Sequence, residues 1–380
     1  MQSNLTQPLP ALARGQGGPT TQDASQSQVR IGGLDELRGL SILWVMICHG
    51  TVLWQWMPST FSGYGFHGVV LFFIISGYLI TRILVNGRGQ DNYLSHFYVN
   101  RFFRIWPLML VALGVSAICW PAFAKAGFYN LLMVNNYSYA VGIEPMMRTD
   151  VMWSLAIEEQ FYMFWPLVAL LCAPRFLPLV AAAIVMAGLG FDAGLLPTGR
   201  MIIFKATHGN MQYIAMGALV AFGTTGLRYL LSAWALFFAW WCLKHGVSHL
   251  VDFRWIWWGV TFVLALVVHY TVNKGPLFRM AFLAETGKLC YGLYIIHFFI
   301  SWMVLEFIGR GDWWQGLLYL SVSGVLAVLS FHGFEKPMLN MRRHFVASDR
   351  LRAALFGAVG LTALVSVVNI VITVGRTQGH

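Results

Sequence analysis

Leu34 to Gly50 reads L-D-E-L-R-G-L-S-I-L-W-V-M-I-C-H-G, and this stretch decides the fold. An apolar run opens at Leu40, just after Arg38, and carries His49 deep inside it. A histidine within a membrane span is costly unless it has work or partners there. At about 1.5 Å per residue, the offset between the two residues sets His49 ~16 Å above Arg38. Arg38 can then rest at the inner interface while the imidazole reaches the middle of a ~30 Å hydrocarbon layer.

The rest of the chain agrees with a membrane setting. Of its 380 residues 58% are hydrophobic and only 11% charged, with a mean hydropathy of +0.64, which excludes an ordinary soluble domain. Eleven apolar stretches begin near residues 39, 66, 105, 152, 176, 210, 228, 255, 287, 315 and 353. They predict an all-α, polytopic integral membrane helix bundle of ten core spans with an eleventh C-terminal span. Residues 1–33, rich in Gln, Ser, Thr, Gly and Pro, read as a disordered cytoplasmic tail. That tail holds no apolar h-region before a cleavage site, so the first span is expected to direct insertion.

Loop charges set the expected orientation. With the N-terminus cytoplasmic and every span crossing, seventeen of the 25 Lys and Arg fall inside and eight outside, which favours N-in and C-out. The net charge of +10 reflects this bias, and no nucleic-acid partner is read from it. All five cysteines lie in apolar spans without a CxxC pair, so neither a disulfide framework nor a metal site is expected.

Polar groups recur at matching depths in other spans. V-M-W-S-L-A-I-E-E-Q-F-Y (Val151–Tyr162) runs inward from its start, placing Glu158 ~9 Å below the outer surface, against ~14 Å for His49. Glu158 and Glu159 are neighbours on a helix and point ~100° apart, so one is expected to face a cavity and the other a basic partner. His297, in Y-G-L-Y-I-I-H (Tyr291–His297), and Ser76, in V-V-L-F-F-I-I-S-G-Y-L-I (Val69–Ile80), reach similar depth. Ordinary readings stand beside these: an intramembrane His can be a satisfied structural group, and Ser in a span often bonds its own backbone.

R-F-F-R-I-W-P (Arg101–Pro107) places Arg101 and Arg104 on one side of a helical turn, with Pro107 favouring a helix start or kink just beyond. Two guanidinium groups on one face suit capture of phosphate oxygens, with Arg38 as reinforcement; plain positive-inside anchoring is the alternative. Glu335 in E-K-P (Glu335–Pro337) reads as architectural, closing an ion pair with a cytoplasmic arginine.

Taken in order, these six motifs resemble the acyltransferase-3 family of multi-pass membrane O-acyltransferases, over roughly residues 34–340. The resemblance implies a membrane acyltransferase domain at 34–340; residues 341–380 depart from the family's ten-span core and read as a cytoplasmic linker and extra transmembrane helix. It implies a bacterial inner membrane, a cytoplasmic acyl-coenzyme A donor (acetyl-coenzyme A by default) and no permanently bound cofactor. The acceptor it implies is a hydroxyl of a carbohydrate such as a surface polysaccharide, lipopolysaccharide or lipo-oligosaccharide. By similarity, Arg38 and His49 match the family's first-span pair, Arg101 and Arg104 its R-x-x-R pair, and Glu158 the acid of its W-S-L-x-x-E motif. Cys290 stands where the family often has Ser.

The expected chemistry is then direct. His49 acts as base on the acceptor hydroxyl, with an acyl-His intermediate as the covalent variant. Glu158 orients it, and Arg38, Arg101 and Arg104 bind the coenzyme's phosphates. Ser76, Trp153 and His297 are substrate-site candidates, and the Asn135–Asp150 loop is the expected acceptor contact. A small-molecule acceptor, or a proton-coupled transporter using the same intramembrane His and Glu, are the alternatives.

Overall fold

The structure is a computed structural model. It describes residues 33–54, 64–90, 92–119, 124–141, 147–193, 205–245, 253–277, 279–309 and 312–345, with single positions at 357 and 364. Among these residues the chain is helical and contains no strand. The helices are α1 Leu34–Trp54, α2 Gly65–Gly87, α3 Tyr93–Cys119, α4 Ala124–Leu131, α5 Trp153–Leu171, α6 Leu177–Asp192 and α7 Met211–Val220. After them come α8 Gly223–His245, α9 Phe253–Lys274, α10 Ala281–Lys288, α11 Cys290–Phe307, α12 Trp313–Ser330 and α13 Lys336–Phe345.

Helices occupy ten of the eleven expected positions. The eleventh, expected at about Leu351–Val374, lies outside the described residues apart from two single positions, as do residues 1–32. Among the described residues six stretches are long and apolar enough to cross a membrane: Gly65–Gly87, Tyr93–Cys119, Pro174–Asp192, Gly223–Lys244, Cys290–Phe307 and Trp313–Arg342. The protein is therefore a multi-pass membrane protein. The run expected to span from residue 210 forms a shorter element. α7 has 10 residues, ~15 Å of rise, and is buried from Gln212 to Val220. A turn at Ala221 and Phe222 ends it, and Gly223 takes a left-handed φ of +60°, so the apolar run continues as a separate helix.

α2 lies at the centre and packs against α1, α5, α7 and α9. Its contact with α7 is made by backbone. A Cβ on Gly77 would stand 1.8 Å from the Ile214 carbonyl oxygen, and one on Gly217 would stand 1.9 Å from that of Ile74. Only glycine permits helices to approach this closely, as in small-residue membrane packing. α1 meets α10 in the same way, through Gly39 against the Leu283 carbonyl (2.1 Å) and Gly287 against that of Asp35 (1.8 Å). That contact fixes the helix that carries both Arg38 and His49.

Two prolines lie within helical runs. Pro107 lies inside α3, which runs through it from Tyr93 to Cys119. At the E-K-P motif, Phe331–Glu335 forms one π turn that joins α12 to α13. A wider turn ahead of Pro337 accommodates the missing N–H and the ring's bulk. Glu335 is buried there, accepts a hydrogen bond from Ser330 at 3.3 Å, and faces Gly292 of α11, where a Cβ would lie 2.6 Å from its Oε1.

Candidate active site

α1, α2, α3, α5 and α11 line a cleft of about 720 Å³ that is partly open to solvent. Three guanidinium groups line it: Arg38 from α1, and Arg101 and Arg104 from α3. Glu158, Ser76, Ser154, Tyr162, Cys290, Tyr291 and Tyr294 supply the other polar or sulfur atoms, over an apolar wall that includes Phe72, Phe73 and Leu155. Arg101 and Arg104 are one helical turn apart, so one backbone segment delivers both.

Aromatic faces hold the arginines. Arg101 lies 5.8 Å from the centre of the Phe97 ring and 5.5 Å from that of Tyr162. Arg104 lies 5.9 Å from the Tyr291 ring, and the Tyr291 hydroxyl donates to the Ile105 carbonyl. Arg38 pairs with Asp35 at 3.1 Å. Cation–π contact fixes a guanidinium while leaving most of its N–H donors unspent. The cleft therefore concentrates positive charge with donor capacity in reserve, a setting for a polyanion.

The motif on α5 sends successive residues to different sides. Glu158 faces the cleft, where its Oε1 accepts from Ser76 at 2.7 Å and its Oε2 from Tyr162 at 3.2 Å. Glu159 points away and accepts from the Trp106 indole at 3.4 Å, with the Arg101 guanidinium near enough to act on it electrostatically. Gln160 turns to a third side. It donates to the Met133 carbonyl at 2.6 Å and to Asn136 Oδ1 at 3.0 Å. Asn136 in turn donates to Thr207 Oγ1 at 3.0 Å and to the Lys205 carbonyl at 3.2 Å. Lys205 closes this network on both Asp150 oxygens at 2.7 Å. The described part of the loop expected to touch an acceptor is thus pinned to the same helix as Glu158.

His49 and His297 meet. Nδ1 of His49 lies 3.1 Å from Nε2 of His297, and His297 Nδ1 lies 2.8 Å from the Leu293 carbonyl. The pair stands beside the cleft behind Tyr294, whose ring centre is 5.8 Å from that of His297. Tyr294 is itself clamped: it donates to the Val151 carbonyl at 2.7 Å and shares a hydrogen bond with Ser154. His49 bonds to His297, and Glu158 bonds to Ser76 and Tyr162; the expected pairing of Glu158 with His49 is not what these hydrogen bonds describe. Trp153 lies one layer behind the cleft wall, stacked on Phe66 at 6.0 Å and edge-on to Phe73 at 6.4 Å.

Sequence reasoning passed over Tyr162, Tyr291, Tyr294 and Ser154. Tyr162 was within reach, since it stands four residues after Glu158 on one helix face. Tyr294 was accessible in the same way, three residues before His297. Cys290, which stands where the family often has Ser, lines the cleft. Among the described residues no cluster of metal-ligating side chains occurs.

A helical membrane bundle with a cationic cleft beside a pair of hydrogen-bonded imidazoles defines the class, a membrane protein with a polar site held inside its helices. The family model described as an acyltransferase domain, that of the acyltransferase-3 family, matches residues 31–332; the chain belongs to this family. It is similar to the O-acetyltransferase OatA of Staphylococcus aureus strain NCTC 8325 / PS 47, with 26% identity over 399 residues, covering 90% of this chain and 63% of the relative. Against OatA of strain MRSA252 the identity is 25% over the same shares of each chain. The chain thus spans less than two thirds of the length of these relatives. No solved structure matches it.

Proposed function

We propose that the protein transfers an acyl group, acetyl by default, from cytoplasmic acyl-coenzyme A to a hydroxyl of a carbohydrate acceptor in a bacterial inner membrane. One observation carries the reading: three arginines line a single cleft whose wall at Tyr294 abuts the His49–His297 pair. The curated names of the relatives, O-acetyltransferases, support it.

In this reading the N-terminus is cytoplasmic and Arg38, Arg101 and Arg104 take the phosphates of the coenzyme. The pantetheine arm follows the apolar wall toward the imidazoles. His49 removes the proton from the acceptor hydroxyl as its oxygen attacks the thioester carbonyl; the new C–O bond forms, the C–S bond breaks, and the coenzyme leaves as thiolate. Glu158 lies on the path of the arm, and its carboxylate, set by Ser76 and Tyr162, balances part of the arginine charge when the cleft is empty.

The test compares surface glycans and glycolipids of cells carrying the wild-type protein with those of cells carrying His49→Ala, by mass spectrometry. Loss of one acyl unit from a defined sugar, at unchanged membrane level of the protein, is the expected result. An unchanged acylation pattern in glycans and small molecules alike would refute the reading.

A further inference from the structure

We infer that His297 is a positioning residue that fixes the tautomer of His49, leaving the Nε2 of His49 bare to receive the acceptor's proton; the inference rests on His49 being the base proposed above. The assignment runs from the backbone outward. A carbonyl oxygen can only accept, so the 2.8 Å contact between His297 Nδ1 and the Leu293 carbonyl puts the proton of His297 on Nδ1. A neutral imidazole carries one N–H, and its other nitrogen is an acceptor. His297 Nε2 is therefore bare. It faces His49 Nδ1 at 3.1 Å, and a bare nitrogen can be met only by a donor. The proton of His49 is then on Nδ1, and its Nε2 is free.

The ring geometry agrees. The two planes differ by 8° and the centroids are 5.3 Å apart. That separation is close to the N···N distance extended by one ring radius at each end. The hydrogen bond thus lies in the shared plane, along the line joining the rings, where it is strongest.

The surroundings leave the role to His297. Phe298 lies 5.5 Å from the His49 ring, and Tyr294 and Tyr319 lie 5.8 and 6.5 Å from His297. The Tyr319 hydroxyl is engaged with the Met46 carbonyl at 3.3 Å, and Glu158 is engaged with Ser76 and Tyr162. His297 is fully buried, and Leu293 is one turn away on the same helix, so the carbonyl cannot swing aside. A ring that holds a fixed carbonyl on one nitrogen presents an obligatory acceptor on the other. This does the orienting work that a carboxylate does in a hydrolase triad, with no net charge in the resting bundle. When His49 Nε2 takes the hydroxyl proton, its Nδ1–H still donates to His297, and the new positive charge is shared across that bond.

Isolated membranes bearing the full chain, with acetyl-coenzyme A as the probe and acceptor-dependent thiol release as the signal, test the inference. His297→Phe keeps the ring and removes both nitrogens; kcat is expected to fall by about 10² to 10⁴, the range over which tautomer and base defects act. KM for acetyl-coenzyme A is expected to stay within about 2-fold, because the arginines hold the donor. His297→Gln restores a carbonyl acceptor at the position of Nε2 and is expected to recover at least about 10-fold of the loss. Wild-type kcat in His297→Phe, or no recovery in His297→Gln, would overturn the inference. Activity in His49→Ala would instead remove the reading beneath it. A measurement on the unmodified protein covers the case of misfolded variants: ¹⁵N spectra of histidine-labelled chain in lipid should show His49 protonated at Nδ1 and bare at Nε2. The opposite tautomer would overturn the inference directly.

Discussion

The arginine wall of the cleft and the imidazole pair behind Tyr294 solve opposite problems. The wall gathers three cations and holds two of them with aromatic faces, so charge remains available to whatever enters. The imidazole pair spends its hydrogen bonds internally, down to a single open nitrogen. Binding a polyanion tolerates adjustment, because several N–H donors can share the load. Proton transfer does not, because one lone pair must point one way. The first region should therefore show its defects in donor binding and the second in the rate of transfer.

The largest effect is expected from His49→Ala. Acyl transfer in membranes should drop by about 10³-fold or more, with the amount of protein unchanged on immunoblots. Next comes the double variant Arg101→Ala/Arg104→Ala. Removing charge-assisted contacts, each worth ~1.5–3 kcal/mol, should raise KM for the acyl donor about 10²-fold and leave kcat nearly intact. If kcat fell instead, the division of labour between the two regions would be broken. Gly39→Val sharpens the comparison by striking both at once. A Cβ at this position would stand 2.1 Å from the Leu283 carbonyl, so α1 must shift with Arg38 and His49 together. Both KM and kcat should worsen, and the extracted protein should lose ~1–3 kcal/mol of stability, read as a lower melting temperature in detergent. The smallest effect is expected from Ser76→Ala, which removes one of the two hydrogen bonds on Glu158. About a 10-fold loss of activity is expected, with Tyr162→Phe, at the longer 3.2 Å bond, losing less.

Much of this was legible in the chain. The Arg38–His49 offset, the Arg101–Arg104 turn and the divergence of Glu158 from Glu159 follow from helical geometry alone, and the structure keeps all three in those relations. Depth arithmetic also brought His297 near His49. What depth could not supply was azimuth. Two residues at one level may sit on opposite sides of a bundle, and the packing of α1 against α11 decides which pairs meet. That is why Glu158 looked like the partner of His49 when His297 held that place. Hydropathy failed at α7 for a different reason. The apolar run continues past residue 220, and only the turn before Gly223 divides it. Local chemistry is also absorbed by the helices: α3 runs through Pro107, and a π turn precedes Pro337.

The glycine contact between α2 and α7 carries one more consequence. With Gly77 and Gly217 each against the other helix's carbonyl oxygens, no side chain lies between the two backbones to act as a bearing. The two helices form one plate, and Ser76, adjacent to Gly77, has a fixed address on it. A ligand bulkier than the resting opening cannot be admitted by sliding that plate. The facing side is built differently: Tyr291 and Tyr294 are held to Ile105 of α3, and to Val151 and Ser154, by single phenolic hydroxyls, so the cleft resembles a door hung on one side.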